Sequence, residues 1–218
     1  MGRVWRRRSS ACASRADACG SAAWTGKGRT VRLCGPFHIH SSAYGGARAG
    51  YAVSHDAAGW HVADQRGQEG ADTLLEVERI RFADGALALD TDGDAGQAYR
   101  LYRAAFDRAP DLQGLGYWIG VLDKGATLQD IAGGFAGSQE FADLYGSAPD
   151  NGETVQRLYR NVLHRAPEQG GFDYWLNVLD KKLDTLAGVL ASFSESAENQ
   201  DAVAELIGNG IVFTPYAG

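Results

Sequence analysis

The chain contains one helical sequence twice, and this constrains its fold more than any other feature. From Leu101 it reads LYRAAFDRAPDLQGLGYWIGVLDK, and from Leu158 it reads LYRNVLHRAPEQGGFDYWLNVLDK, with 13 of 24 positions identical at an offset of 57. One inserted residue then moves the offset to 58, pairing Thr127 with Thr185, Leu128 with Leu186, Phe135 with Phe193, Ser138 with Ser196 and Glu140 with Glu198. A repeat of this length marks a supersecondary unit that buries its apolar face against its own copy.

Each copy carries helical periodicity. Tyr99, Tyr102 and Phe106 form an apolar stripe that must end near Arg108-Ala109-Pro110, because proline disfavours helix at the residue before it. A second helix carries Leu115, Trp118, Ile119 and Leu122 and stops at Gly125. Thr127 with Asp130 starts a third as a capping box, and Ser138 starts a fourth through Phe141 and Leu144. The second copy repeats the plan through Leu158, Val162, Trp175, Val178, Leu190, Phe193, Val203 and Ile207. The fold class is therefore mainly α, a bundle of about eight short helices from tandem copies over about 96–150 and 151–207, inside a domain of 93–210 with a tail of 211–218.

The repeated motif also nominates residues. Trp118 and Trp175 lie on apolar stripes and are expected to anchor the cores, with Tyr102, Tyr117, Tyr159 and Tyr174 around them. Arg108 and Arg165 are expected to tie down helix C-termini through the last carbonyls. Gly114 and Gly171 are expected to permit close helix approach, and Pro110 and Pro167 to break the chain between helices. Tyr-Trp pairs and arginines are also what carbohydrate platforms and protein interfaces use.

Before the repeats, charge and composition change twice. The net charge is −6, but the first 48 residues hold nine Arg and Lys against one acid, a surplus of +8, so the other 170 residues carry −14. An acidic body of this kind excludes nucleic acid as a partner and repels anionic membrane surfaces. Residues 1–48 lack periodicity and are read as a disordered basic stretch, with a transit peptide or non-native sequence as alternatives. Cys12, Cys19 and Cys34 all fall in it, at a spacing that gives neither a disulfide framework nor, with His38 and His40, a zinc pattern. There is no apolar run long enough to span a membrane and no apolar core of a secretory signal.

Residues 49–92 read as a short β segment of about four strands, in runs such as YAVSH, WHVAD and TLLEVERIRFAD separated by Asp/Gly turns. Asp90, Asp92 and Asp94 follow at alternate positions. Three carboxylates there could converge on calcium, but an EF-hand needs Gly and Glu where the chain has Ala95 and Leu101. The other reading is an acidic helix start, with one of the aspartates capping the helix.

The two copies of LYR…RAP…G…YW…VLDK resemble the bacterial family called domain of unknown function 4214, over about residues 96–207. The stretch Gly70 to Gly85, GADTLLEVERIRFADG, is similar to sequence that flanks calcium-binding β-rolls in RTX-type secreted proteins, without their nonapeptide. These resemblances imply a secreted or surface-attached protein, some relatives being surface-layer proteins, and export by a type I route that reads a C-terminal signal. The expected function is a non-catalytic binding or assembly module facing a cell-surface glycan or protein lattice partner. A calcium-dependent structural cap is the alternative. A hydrolase built on His164, Asp173 and Tyr174 is disfavoured, because one copy lacks the His, the other lacks the Asp, and there is no nucleophile motif.

Overall fold

The computed structural model describes residues 30–32 and 39–216, in two compact units that divide between Leu89 and Asp90. Cys12, Cys19, Cys34, His38 and most of the basic stretch lie outside the described residues.

The first unit is β. Strands β1 (Thr30–Arg32), β3 (Tyr51–Asp56), β4 (Gly59–Asp64) and β5 (Ala71–Leu75) form a sheet in the order β1-β5-β4-β3. Strand β2 (Ser41–Ala43) pairs in parallel with β6 (Arg79–Phe82), which forms an antiparallel hairpin with β7 (Gly85–Ala88). β2 lies inside the stretch that shows no periodicity, since three residues are too few to display alternation. Apolar side chains at alternating positions pool into one core of Tyr51, Val62, Leu74, Ile80, Phe82 and Leu87. Asp64 closes the turn after β4 by accepting from the backbone N–H groups of Arg66, Gln68 and Glu69 at 2.8–3.0 Å. The segment Gly70 to Gly85 supplies β5, β6 and the first residue of β7.

The second unit holds eight helices, four per copy: α1 (Asp94–Phe106), α2 (Leu112–Leu122), α3 (Leu128–Ala136) and α4 (Gln139–Tyr145), then α5 (Asn151–Val162), α6 (Gln169–Asp180), α7 (Leu186–Ser194) and α8 (Ala197–Ile207). A short strand, β8 (Ile211–Phe213), follows. Local signals set the starts. Asp111, Thr127, Ser138, Asp150, Thr185 and Ser196 each accept a backbone N–H in the first turn of their helix, and Thr127 with Asp130 completes a capping box. Among the described residues no helix is long and apolar enough to cross a membrane.

Helix α1 is central, packing on α2, α3, α4, α5, α7 and α8. Leu101 at its middle is fully buried, as is its counterpart Leu158 in α5. α3 and its counterpart α7 pack face to face where Gly133 meets Ala187. A buried ion pair helps to join the copies through this core. Arg100 of α1, 4% exposed, donates from Nε and Nη2 to both oxygens of Glu195 at the end of α7, each at 2.7 Å, and from Nη1 to the Thr91 carbonyl.

The tryptophans correct the sequence expectation, because Trp118 and Trp175 are only half-buried. They stand at the rim and turn their rings onto Phe135 and Phe193, at 4.9 and 5.2 Å, and it is those phenylalanines, 3% exposed, that occupy the interior. Tryptophan is seldom fully buried because of its size, whereas the smaller rings of Phe135, Phe193, Tyr102 and Tyr159 are buried here.

Candidate functional site

The repeated motif builds the same polar clasp in both copies. In the first, the buried Tyr102 donates its hydroxyl to Asp111 at 2.8 Å, and Arg108 donates to that hydroxyl at 3.1 Å while its guanidinium lies 5.0 Å from the ring centre. Arg108 also grips both oxygens of Glu140, at the start of α4, at 2.6 and 3.0 Å. In the second copy Arg165 grips Glu198, at the start of α8, at 2.8 and 2.9 Å, and reaches Glu168 at 2.7 Å, again 5.0 Å from the ring of Tyr159. The arginines thus bind carboxylates across the loop. The helix-end carbonyl role expected of them is not what forms; among the described residues the carbonyls they reach are those of Ala109 and Ala166, the next residue in each case. A bidentate carboxylate is the stronger partner for a guanidinium.

The charges in the clasp hold one another in place. Burial, then the Asp111 carboxylate, push the Tyr102 hydroxyl up; burial, then Glu168, do the same for Tyr159. Asp111 is held low by the Gly114 N–H and then by the Tyr102 hydroxyl, and Glu198 by Arg165. At neutral pH the tyrosines are protonated and the acids ionised, and each member of the clasp has a hydrogen-bond partner within it.

Gly114 and Gly171 belong to this clasp, which corrects the expectation of close helix packing. A Cβ at Gly114 would press on the Asp111 carboxylate, and one at Gly171 would collide with the Tyr159 hydroxyl and Glu168. Pro110 and Pro167 sit in the loops between α1 and α2 and between α5 and α6. Just before those loops, Asp107 and His164 occupy equivalent places, both in left-handed backbone with φ of 48° and 51°, and His164 Nε2 stands 3.9 Å from the Asp107 carboxylate. The divergent pair of the repeat therefore meets in space.

The surfaces beyond the clasp differ. On the first copy the chain after α8 returns along α2, with the Thr214 N–H donating to the Leu112 carbonyl at 2.9 Å, and a Cβ at Gly116 would collide with the Thr214 carbonyl oxygen. Tyr216 then stacks edge-on against Tyr117 at 5.1 Å. On the second copy Asp173 replaces Gly116, and Tyr174 is 60% exposed with Trp175 as its ring neighbour. The second copy also carries an open groove of about 880 Å³, lined by Gln156, Arg160, Asn161, His164, Arg165, Pro167, Gln169 and Phe172 with Asp107. Sequence reasoning nominated Arg165, Pro167 and His164 but missed the amides and Phe172. The available signal was divergence, since Gln169 and Phe172 stand where the first copy has Leu112 and Leu115.

Asp90 and Asp92 lead into α1, and Asp94 is its first residue. Asp90 accepts the Ala95 N–H at 3.2 Å in the first turn of α1, and its own carbonyl receives the Gly93 N–H. Among the described residues there is no group of three or more His, Cys, Asp or Glu side chains placed to hold a metal ion. The triad proposed for hydrolysis is not assembled either, for Asp173 accepts from Gln169 at 2.8 Å and Tyr174 faces solvent.

The sequence model of the family described as Domain of unknown function (DUF4214) matches residues 93–145 and again residues 132–203, which together cover half of the chain. No curated protein matches the chain.

Proposed function

The chain belongs to the DUF4214 family, and we propose that its tandem helical domain is a non-catalytic binding module of a secreted or surface-associated bacterial protein, with a cell-surface glycan as its ligand. The observation that carries this reading is the groove on the second copy. It is open and wide enough for a sugar ring, and it combines amide and guanidinium donors with the half-buried ring of Phe172. Planar polar groups around an aromatic face suit a ligand with many hydroxyls and an apolar ring face. The first copy serves as the base, since the chain after α8 lies along its α2 at Leu112 and Gly116. The RTX-like character of Gly70 to Gly85 supports an exported context, and type I secretion is the route that context suggests.

A glycan array probed with the full chain tests this reading. Binding to surface-type glycans is expected, together with its loss in a Gln156→Ala, Phe172→Ala double variant whose melting temperature stays close to that of the parent. Glycan binding that survives the double variant would move the site elsewhere, and failure to bind any glycan would overturn the reading. A second reading, assembly into a protein lattice, is favoured by Tyr174, Leu183 and Leu206, all more than half exposed on the second copy. Sedimentation velocity distinguishes it, because lattice assembly requires concentration-dependent self-association that Tyr174→Ser weakens.

A further inference from the structure

The groove contains two arginines, and only one of them is committed to the fold. Arg165 is saturated by Glu198 and Glu168. Arg160, one turn before it in α5, is exposed and has no hydrogen bond or ion pair among the described residues. The groove's imidazole, His164, stands beside Asp107.

Arg160 is nevertheless one of the identities kept between the copies, as the Arg of LYR, matching Arg103. The other two residues of that motif have structural explanations, since Leu101 and Leu158 fill the core and Tyr102 and Tyr159 carry the clasp. A cation in the last turn of a helix also complements the helix dipole, and Arg103 and Arg160 share that position equally. What separates them is the space in front. Arg103 borders a hollow of about 20 Å³, room for roughly one water, whereas Arg160 borders the wide groove. Gln156, four residues earlier in α5 and on the same face, places an amide one turn away.

We infer that Arg160 receives the carboxylate of an acidic sugar residue, of the uronic or sialic acid kind, with Gln156 bonding a ring hydroxyl and Phe172 covering the ring. This rests on the reading of the domain as a glycan-binding module and adds the ligand class. A guanidinium presents two parallel N–H groups that match a carboxylate, and here no acid of the protein's own occupies them. The one carboxylate lining the groove, Asp107, is faced by His164 at 3.9 Å, and acids more than about 8–10 Å away are largely screened at physiological salt.

The test is a titration of the isotope-labelled full chain, followed by amide NMR shifts, with a glucuronic acid oligosaccharide, a neutral glucose oligosaccharide, and acetate. The acidic oligosaccharide is expected to shift the amides of Gln156, Arg160, His164 and Phe172 and to bind most tightly. Arg160→Ala should weaken it by about tenfold or more, the loss of one charge-assisted contact, while Arg103→Ala changes affinity by less than about twofold. Since neither side chain bonds within the described fold, both variants keep the parent spectrum elsewhere. Equal binding of the neutral oligosaccharide, or acetate binding as tightly as the acidic one, would overturn the acidic-sugar inference while leaving the module reading intact. Glycan shifts confined to another surface would overturn it in the same way. Absence of shifts with any of the sugars would overturn both.

Discussion

The two copies of the repeat share a backbone plan and differ in what covers them. In α2 four residues are buried, Leu115, Gly116, Ile119 and Leu122, whereas in α6 only Val178 is. α1 buries eight residues and α5 five. Inside each unit the same groups recur: the clasp of Tyr, Arg and carboxylates, the Thr and Ser caps, the left-handed residue after the first helix. Duplication has therefore kept what each four-helix unit needs for itself. Substitution at outward positions has made one copy the base and the other the exposed face.

The largest test of that contrast compares two equivalent arginines. Arg100 is buried against Glu195, while Arg157, its counterpart, pairs with the half-exposed Glu153 one turn away and donates to the Leu144 carbonyl, both at the surface. Arg100→Met is expected to cost roughly 3 kcal/mol, because it strands a partly buried carboxylate, and Arg157→Met about 0.5 kcal/mol. Urea denaturation of both variants reads this, and equal losses would break the claim that the first copy is the base. A smaller effect is expected at the covered face. Gly116→Asp, which makes α2 resemble α6, should displace the segment around Thr214 and cost about 1–3 kcal/mol, with the amide of Thr214 losing its protection from hydrogen exchange. The reverse change, Asp173→Gly, should cost no more than the helix penalty of glycine, about 1 kcal/mol, and displace nothing.

Acid titration sharpens the comparison at the clasps. Asp111, Glu168 and Glu198 all have folded values below their ordinary ones, Asp111 through the Gly114 N–H and both glutamates through Arg165. A depressed carboxylate contributes stability that is present above its unfolded value and lost as pH falls through the folded one. The melting temperature should therefore hold from neutral pH down to roughly 4, the ordinary carboxylate range, and decline below it. Glu198→Gln should remove part of the decline, and a melting temperature that rises on acidification would contradict the clasp.

Much of the helical fold was legible because its determinants are local. Thr127 with Asp130, Ser138, and the prolines at 110 and 167 act within a few residues of themselves, and apolar spacing declares a helix face before it meets a partner. The β unit was legible as strands from their alternation, but β2 is too short to alternate and emerges only through its pairing with β6. The roles of Arg108 and Gly114 were misread for a related reason. Their partners, Glu140 and the Asp111 carboxylate, depend on how a loop folds back, and sequence spacing does not specify that.

The sequence by itself determined that this protein is a tandem helical domain behind a β segment, because periodicity, caps and an internal repeat are written along the chain. Only the tertiary structure decided which copy is covered and which is open. That outcome turns on contacts between residues far apart in sequence, Arg100 with Glu195 and Gly116 with Thr214, and nothing in a local pattern records which of two matching surfaces the returning chain will occupy.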